Sequence, residues 1–420
     1  MKSEIIKNIY FEDIWQKVSI EEINLCCTRS YSSNGWQSFI AWDPVNSYSG
    51  ENIEEFKNFV SEEQAKGNRV FGYVSYDLGY SLFDIKQCAK DDLKLPKIFF
   101  YSFDRYIKLI DGGIEVISKD EKKLKDYLIQ IKSLLARPVS IHITNSKTDS
   151  ELITNTSKEA YLESYKRIKK YITEGDIYQI NLTHRLESTT KKTARQLFLD
   201  MSLKNKVDYT AYIEGSYFEI LSASPERFIK IFPDRTIETF PIKGTRPRGK
   251  DPAEDELMKN ELVNSPKEAA ELNMITDLLR NDLGKISEIG SVKVVGSRIV
   301  HPYATVWHTY SHVKGRVLNG LRSIDVLLSM FPGGSITGCP KKRSMEIIDE
   351  LEPTTRGVYT GCIGFIDPDD SLDFNIAIRT FIKKGDNVYL QVGGGIVYDS
   401  NEKDEYQETF DKAKSFLGII

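Results

Sequence analysis

The chain has 420 residues, of which 40% are hydrophobic and 28% are charged, and its formal net charge is -4. This is the composition of a globular protein with a sizeable core, and so small a charge gives no electrostatic reason to expect nucleic acid as a partner. No apolar run approaches the roughly 20 residues that span a bilayer, and the first residues lack a signal core. We therefore expect a cytoplasmic protein without nucleic-acid or membrane partners.

The cysteines are odd in number and have no C-x-x-C spacing, so the sequence predicts neither a disulfide framework nor a zinc site. Reduced thiols are expected. None of them lies in the Gly-x-Cys-x-Gly context of a glutaminase nucleophile. The five are Cys26, Cys27, Cys88, Cys339 and Cys362.

The first part of the chain, up to about residue 134, contains short apolar runs bounded by turn residues, which predict a sheet with a few helices. Examples are Ser38–Trp42, Val70–Tyr76 and Lys97–Tyr101. Between Arg137 and Ser157 the composition shifts to small polar residues, as in a connection between two regions. We therefore predict an N-terminal α+β region over 1–150 and a catalytic region over 151–420.

The second region opens with a helix that Ser157 can cap and Gly175 can end. A strand follows at once. Its alternation places Ile180 and Leu182 on one face and Gln179 on the other, so the Gln179 side chain is expected to point away from the apolar layer.

Two β-like runs, Phe218–Ile231 and Thr236–Lys243, flank a turn and predict a hairpin. If the turn is tight and no bulge intervenes, Glu226 lies directly opposite Lys243, with Cβ atoms about 4.5–5.5 Å apart. A cross-strand ion pair would explain the two residues without any chemistry. A proline in each run also makes a bulge possible.

The next helix begins at Ser265–Glu268. Serine as N-cap, proline at the first helical position and glutamate three residues after the serine form a predicted capping box. This explains Glu268 without any function. However, Glu271 lies one turn further along the same face, and two carboxylates at this spacing repel each other unless a cation is near. The face therefore remains open to either interpretation.

The last helix, after Ser400, places Glu405, Glu408 and Lys412 on one face. A solvated face with an ion pair between Glu408 and Lys412 is the ordinary explanation. Immediately before it, a strand runs into Gly393–Gly395, whose backbone N–H groups could meet an anion, although a simple bend would also explain three glycines.

Three further features precede that helix. The run Phe331–Lys341 is so rich in glycine and proline that we predict a shaped loop. Arg379 interrupts the β-like run Phe374–Arg379, and in a strand interior it should have an anionic partner because an isolated buried charge is costly. His308 lies within a β-like run, where a core imidazole is the default expectation.

Taken together, these motifs resemble one family, the chorismate-utilising enzymes, which include anthranilate, aminodeoxychorismate, isochorismate and salicylate synthases. The first region resembles the N-terminal region of anthranilate synthases more weakly, through Gly72–Gly79. The resemblance implies an α+β fold of four layers, α/β/β/α, with two sheets face to face and helices outside. The matching motifs are Gly175–Leu182, Ser224–Glu226, Pro241–Arg246, Lys267–Glu271, Asp277–Asp282, Gly338–Lys341, Gly357–Gly361, Asn375–Arg379, Gly393–Ile396 and Glu405–Thr409.

The family substrate, chorismate, is a dianion whose C4 hydroxyl is a poor leaving group, so its loss needs a general acid. The resemblance implies that Glu226 is this acid. It also implies Mg²⁺ at the C1 carboxylate, bound directly by Glu271 and Glu408 and supported by Glu268 and Glu405. The substrate contacts that it implies are Gln179, Thr245, His308, Tyr359, Arg379, Gly393, Gly394, Gly395 and Lys412.

Two positions distinguish the members of the family. Isochorismate and salicylate synthases carry a water-activating lysine where this chain has Gln179, and anthranilate synthases carry alanine where it has Lys243. The resemblance therefore implies that Lys243 attacks C2 covalently and that ammonia then enters C4, the reaction of the aminodeoxychorismate synthases. A separate glutamine amidotransferase subunit would supply the ammonia. The alternatives are an anthranilate synthase large subunit and a non-catalytic protein that binds chorismate or tryptophan.

Overall fold

The structure of the protein is a computed structural model that describes residues 1–18, 24–32, 35–137, 152–302 and 306–420. The boundary predicted at residue 150 lies outside these residues. Within them the chain forms 11 α-helices and 22 strands. The helices are α1 Phe11–Val18, α2 Ile53–Ala65, α3 Leu78–Leu82, α4 Glu121–Ala136, α5 Lys158–Thr173, α6 Ala194–Lys204, α7 Pro252–Asn264, α8 Pro266–Ile286, α9 Ser323–Met330, α10 Lys341–Leu351 and α11 Glu402–Leu417. The strands are β1 Lys2–Lys7, β2 Leu25–Arg29, β3 Phe39–Trp42, β4 Asn46–Gly50, β5 Arg69–Val74, β6 Ile98–Phe103, β7 Arg105–Ile110, β8 Gly113–Ser118, β9 Ile153–Thr154, β10 Gln179–Thr189, β11 Tyr209–Glu214, β12 Glu219–Ser224, β13 Arg227–Ile231, β14 Thr236–Thr239, β15 Ile242–Pro247, β16 Lys293–Pro302, β17 Val306–Arg316, β18 Gly338–Cys339, β19 Cys362–Ile366, β20 Leu372–Ile376, β21 Thr380–Lys384 and β22 Asn387–Ile396.

The strands form two antiparallel sheets. The first sheet has 12 strands in the order β1-β8-β7-β3-β2-β11-β12-β21-β22-β10-β18, with β9 added to β10. The second sheet has 10 strands in the order β15-β17-β14-β13-β20-β19-β5-β6-β4, with β16 added to β17. Because β2 pairs with β11 and β5 pairs with β19, the N-terminal and C-terminal regions contribute strands to both sheets.

The two sheets pack face to face through aromatic side chains. Phe39 of the first sheet meets Phe71 and Phe365 of the second, with ring centroids 5.2 and 5.8 Å apart. Helices α1, α4, α6 and α11 cover the outer face of the first sheet, and α2, α8 and α9 cover that of the second. This arrangement confirms the predicted four-layered α+β fold. None of the helices within the described residues is both long and apolar enough to cross a membrane.

The helices that carry candidate residues start where the sequence predicts. Ser157 caps α5 by accepting from the backbone N–H of Ala160, and Ser265 caps α8 by accepting from that of Glu268. The Glu268 carboxylate does not complete a capping box in the predicted way: it accepts a hydrogen bond from Arg246 at 3.3 Å. The start of α8 therefore leaves this carboxylate facing β15.

The predicted hairpin register is wrong. Strands β13 and β14 do pair, with Ile231 opposite Ile237, but the chain then leaves β13 and β15 pairs with β17, which places Lys243 opposite Thr309. Glu226 therefore does not lie directly across a ladder from Lys243. The physical cause is a bulge after Arg227 in the pairing of β13 with β20, together with Pro241, which has no N–H to continue the ladder.

Arg379 does not lie in a strand interior, contrary to the prediction. It lies between β20 of the second sheet and β21 of the first, where the chain crosses from one sheet to the other with a φ of 53° at this residue. Such a change of direction requires an unusual backbone conformation, which ends the strand before the arginine. Gly393–Gly395, by contrast, do not form a bend, because they lie inside the ten-residue strand β22.

Candidate active site

The ends of three strands bring Lys243, Gln179 and Gly395 together. A Cβ atom added to Gly395 would lie 3.4 Å from Lys243 Nζ and 3.0 Å from Gln179 Nε2. Gly395 is held in place by its pairing with Asn181 of β10, the strand that begins at Gln179. The absence of a side chain at Gly395 therefore lets an amine and an amide approach the same point of the β22 backbone.

The Gln179 side chain is buried, with 1% of its surface exposed. Within the described residues, neither its Nε2 nor its Oε1 has a hydrogen-bond partner. A buried amide in this state costs free energy, and native proteins seldom contain one without a reason. Because the amide lies beside Lys243 and Gly395, a bound ligand at this position would supply the missing hydrogen bonds.

Glu226 lies between β12 and β13 and is 6% exposed. The hydroxyl of Ser335 donates a hydrogen bond to Glu226 Oε1 at 2.8 Å. Burial raises the pKa of this carboxyl to about 7, although the Ser335 hydrogen bond and the positive charge of Lys243 act in the opposite direction. A carboxyl with this pKa is protonated in an appreciable fraction near neutral pH and can act as a proton donor.

Helices α8 and α11 place the carboxylates of Glu271 and Glu408 where the charge of Lys243 acts on both. Burial and the negative charges of Glu268 and Glu408 raise the pKa of Glu271, while Lys243 and Lys267 oppose them. The charges of Glu271 and Glu408 therefore act on each other across two helices. Glu405, also on α11, accepts a hydrogen bond from the Ser400 hydroxyl at 2.6 Å.

The predicted i, i+4 pair of α11 is confirmed. Lys412 Nζ lies 2.8 Å from Glu408 Oε1 and donates to the backbone oxygen of Gly393 at 2.8 Å. Burial raises the pKa of Glu408, but this pairing outweighs it and leaves the pKa lowered. A Cβ at Gly394 would lie 3.1 Å from Glu405 Oε2, so the glycine strand passes close beneath the acidic side chains of α11.

The carboxylates of α8 and α11 have the chemistry of a site for a hard metal ion. Within the described residues, no three His, Cys, Asp or Glu side chains are grouped as ready-made metal ligands. Mg²⁺, however, often takes only one or two protein carboxylates, with water and substrate oxygens completing its shell. Glu271 and Glu408 face each other from two helices with hard oxygen donors, and the donor set fits this ion.

A second group of predicted residues lies around His308. The Thr245 Oγ1 and His308 Nδ1 atoms are 2.9 Å apart. Burial and the nearby charge of Arg379 lower the pKa of His308 to about 3, so the imidazole is neutral. Tyr359 is buried. The next residue, Thr360, donates its N–H to the carbonyl of Ala377, and this hydrogen bond keeps Tyr359 close to the segment that carries Arg379.

Among the strands of the described residues, the glycine stretch of β22 has a neighbour on one side only. Strand β10 pairs along β22 as far as Ile396, whereas β21 pairs with β22 only up to Leu390. Backbone groups of Gly393–Gly395 on the β21 side are therefore not used in that ladder. They are available to an anionic ligand, apart from the Gly393 oxygen that accepts from Lys412.

Sequence reasoning missed two residues of this region. Ser335 contacts Glu226, and the positive charge of Lys267 acts on Glu271, Glu405 and Glu408. The only signal for Ser335 was its place in the glycine-rich loop. Lys267 had none, because a lysine in the first turn of a helix is ordinarily solvated.

The chain is similar to known proteins over most of its length. The family model of chorismate binding enzymes matches residues 26–418. Aminodeoxychorismate synthase component 1 of Bacillus subtilis is 35% identical over 382 residues, which cover 87% of this chain and 81% of that protein. Anthranilate synthase component 1 3 of Haloarcula marismortui is 37% identical over 366 residues, covering 83% of this chain and 72% of its own length.

Among solved structures, anthranilate synthase component I from Streptococcus pneumoniae TIGR4 superposes with a TM-score of 0.82 and 29% identity, covering 92% of this chain and 93% of that one. The match of the family model to nearly the whole chain agrees with the two shared sheets and the sites described above. The protein belongs to the family of chorismate binding enzymes.

Proposed function

We propose that the protein is the chorismate-binding component of an aminodeoxychorismate synthase, which converts chorismate and ammonia to 4-amino-4-deoxychorismate for p-aminobenzoate and folate synthesis. The observation that carries the proposal is the position of Lys243 Nζ beside the Gln179 amide at Gly395. The Lys243 amine is thus available as a nucleophile beside Gln179, the position at which the water-using members of the family carry an activating lysine. Aminodeoxychorismate synthase relatives at 35% to 39% identity support the same choice.

The reaction is proposed in two displacements. Lys243 Nζ forms a bond to C2 while the C4–O bond breaks, the ring double bonds shift, and the hydroxyl leaves as water with a proton from Glu226. Ammonia then forms a bond to C4, the double bonds shift back, and the C2–N bond to Lys243 breaks. Chorismate and ammonia thus give aminodeoxychorismate and water, and the enolpyruvyl group stays on the ring.

The lysine amine must be neutral to attack, and an ordinary lysine is protonated at neutral pH. Glu226 and Lys243 are close enough for the lysine charge to lower the pKa of the carboxyl. We propose that one proton is shared by this pair, and that the reactive form has a neutral lysine and a protonated carboxyl. The same proton would then leave with the C4 hydroxyl.

Mg²⁺ would be held by Glu271 and Glu408, with Glu268 and Glu405 in support. When bound, the ion supplies positive charge that draws electron density through the C1 carboxylate. In the absence of the ion, the positive charges of Lys267 and Lys412 offset part of the negative charge of these carboxylates.

The remaining residues would bind the two carboxylates of chorismate. Arg379 offers the forked pair of donors that a carboxylate fits, and its charge acts on His308, which lies 2.9 Å from the Thr245 hydroxyl. We propose that Tyr359, Lys412 and the free backbone side of Gly393, Gly394 and Gly395 contribute further donors. The buried amide of Gln179 would form its hydrogen bonds with the substrate or with the incoming ammonia.

Ammonia would come from a glutamine amidotransferase subunit. The names of relatives as component 1 imply a partner component. None of the cysteines lies in the sequence context of a glutaminase nucleophile. In the proposed reaction the nucleophile that enters at C4 is ammonia rather than glutamine. Free ammonium is expected to replace the partner in solution.

The test is a product analysis. The purified protein is incubated with chorismate, Mg²⁺ and ammonium, and the product is identified by mass spectrometry with a p-aminobenzoate-forming lyase as coupled control. 4-Amino-4-deoxychorismate supports the proposal. Anthranilate with pyruvate would refute it in favour of an anthranilate synthase, whose relatives are as similar in sequence; no turnover would favour a binding protein without catalysis.

A further inference from the structure

The glycine-rich loop Phe331–Lys341 is held in place from both sides by close packing. A Cβ on Gly333 would come within 2.7 Å of Ile376 Cδ1, and one on Gly334 within 2.4 Å of Leu278 Cδ2. A side chain at either position would force Ile376 or Leu278 to shift, so both glycines allow the loop to approach β20 and α8. The loop contributes one contact to the site described above, the hydrogen bond from Ser335 to Glu226.

Hydrogen bonds fix the loop on each side of Ser335. Thr337 Oγ1 donates to the carbonyl of Gly333 at 2.8 Å, and Arg356 donates to the carbonyl of Ile336 at 3.0 Å. Arg356 is itself fully buried and ion-paired with Glu352 at 2.7 Å. Ser335, which is 8% exposed, therefore has little freedom to move away from its neighbour.

That neighbour is the carboxyl of Glu226. The Ser335 hydroxyl donates to Glu226 Oε1 at 2.8 Å. An oxygen that already accepts a hydrogen bond is the less favourable place for the acid proton, which is then carried by Oε2. The Ser335 hydroxyl is thus the side-chain donor that favours the proton on Oε2, and together with the backbone N–H of Ile242 it orients the carboxyl.

We propose that Ser335 is a positioning residue for the general acid, which orients Glu226 so that Oε2 presents the proton to the C4 hydroxyl of chorismate. This inference rests on the acid role of Glu226 proposed above. Among the described residues the groups that act on this carboxyl are the Ser335 hydroxyl, the charge of Lys243 and the backbone N–H of Ile242. Of these three groups, Ser335 is the uncharged side chain, and substitution can remove it without altering the lysine.

The test compares Ser335→Ala with the matched control Ser323→Ala. Ser323 is also buried and also donates to a carboxylate, Asp370, at 2.7 Å, but it lies at the start of α9 outside the site. The rate is measured as chorismate consumption, whatever product forms. Ser335→Ala should lower kcat about tenfold with little change in KM, as expected for the loss of one hydrogen bond to a charged or acidic group, and Ser323→Ala should leave both unchanged.

The pH profile separates orientation from a general loss of structure. The Ser335 hydrogen bond lowers the pKa of Glu226, so its removal should move the basic limb of the profile to higher pH. Ser335→Thr keeps the hydroxyl and should keep the wild-type limb. A folded Ser335→Ala variant with an unmoved limb, or a Thr variant shifted as far as the Ala variant, would overturn the proposal.

A double variant provides an independent criterion. In the background of Glu226→Gln, the change Ser335→Ala should alter the rate by no more than about twofold, because the serine acts through the carboxyl. A further tenfold loss in that background would show that the serine acts elsewhere. If the wild-type enzyme makes anthranilate, the proposed function fails. The rates of chorismate consumption and the position of the basic limb in the pH profile then still decide the role of Ser335.

Discussion

Two lysines of the C-terminal region, both in glycine- or proline-rich motifs, have opposite environments. Lys341 is buried, lies 2.8 Å from Asp282, and donates to the carbonyl of Met330 at 2.9 Å. Lys243 is partly buried and, in the part of the chain that the structure describes, forms no ion pair, although its charge acts on Glu226, Glu271 and Glu408.

The comparison shows what separates a structural lysine from a candidate nucleophile. The Lys341 amine is committed to joining α10 to α8, and removal of its partner would leave a buried charge. Among the described residues the Lys243 amine forms no ion pair with the carboxylates on which its charge acts, so it can still approach a ligand. The predictions below test this difference, beginning with the largest expected effect.

Glu226→Gln removes the proposed proton donor beside Lys243. Chorismate turnover should fall by about 10²–10⁴-fold, the usual contribution of a general acid, while the protein stays folded. Steady-state kinetics and thermal unfolding measure the two effects. Glu238→Gln on β14, another buried carboxylate that is paired with Lys314 at 2.7 Å, is the control and should retain turnover.

The pH dependence follows from the same residue. Burial raises the pKa of Glu226 to about 7, so the acid form is present below this pH and disappears above it. The rate should therefore decrease about tenfold per pH unit on the alkaline side. Glu226→Gln should lack this limb, and an unchanged limb in that variant would exclude Glu226 as the titrating acid.

Lys243→Ala removes the reactive member of the comparison. We expect the rate of amination at C4 to fall about 100-fold, or ~2.7 kcal/mol in activation free energy, and some attack at C2 to appear. Mass spectrometry of the products, with radiolabelled or mass-labelled ammonium, measures both. A variant with wild-type rate and product would rule out the covalent role.

Lys341→Met tests the lysine to which we assign a structural role. The free energy of unfolding should decrease by about 3 kcal/mol, near the lower end for a broken buried pair, because Lys285 still lies 3.0 Å from Asp282. Denaturant unfolding measures the change. The turnover of the protein that remains folded should stay close to wild type, and a large loss of kcat without loss of stability would contradict the assignment.

Lys285→Ala should have the smallest effect. Its ion pair with Asp282 is solvent-exposed on the lysine side, and such pairs contribute about 0–1 kcal/mol to the free energy of unfolding. Denaturant unfolding of this variant beside Lys341→Met compares the two partners of one aspartate. A larger loss for Lys285 than for Lys341 would reverse our account of the pair.

Local pattern was sufficient for much of the fold. Short apolar runs bounded by turn residues predicted β3, β5 and β6, and serine caps predicted the starts of α5 and α8, because these features depend on neighbours in sequence. The prediction failed where a distant partner decides the structure. Strand β15 pairs with β17 rather than with β13, since Pro241 cannot continue the first ladder, and Arg379 lies at the crossing between two sheets.

The same division holds for the site. Glu226, Lys243 and Gln179 were predicted from motifs, and their roles remain predictions. Ser335 was missed because its function depends on the fit of two glycines against Ile376 and Leu278, which no local pattern records.

The sequence by itself determined which residue types are present and which helices carry the carboxylates, and it predicted Lys243 as a position that distinguishes members of the family. The tertiary structure decided that Lys243 forms no ion pair among the described residues whereas Lys341 does, and that the amine meets Gln179 at Gly395. The physical reason is that charge pairing and burial depend on residues more than 100 positions apart in some cases, and only the packing of the two sheets brings them within contact.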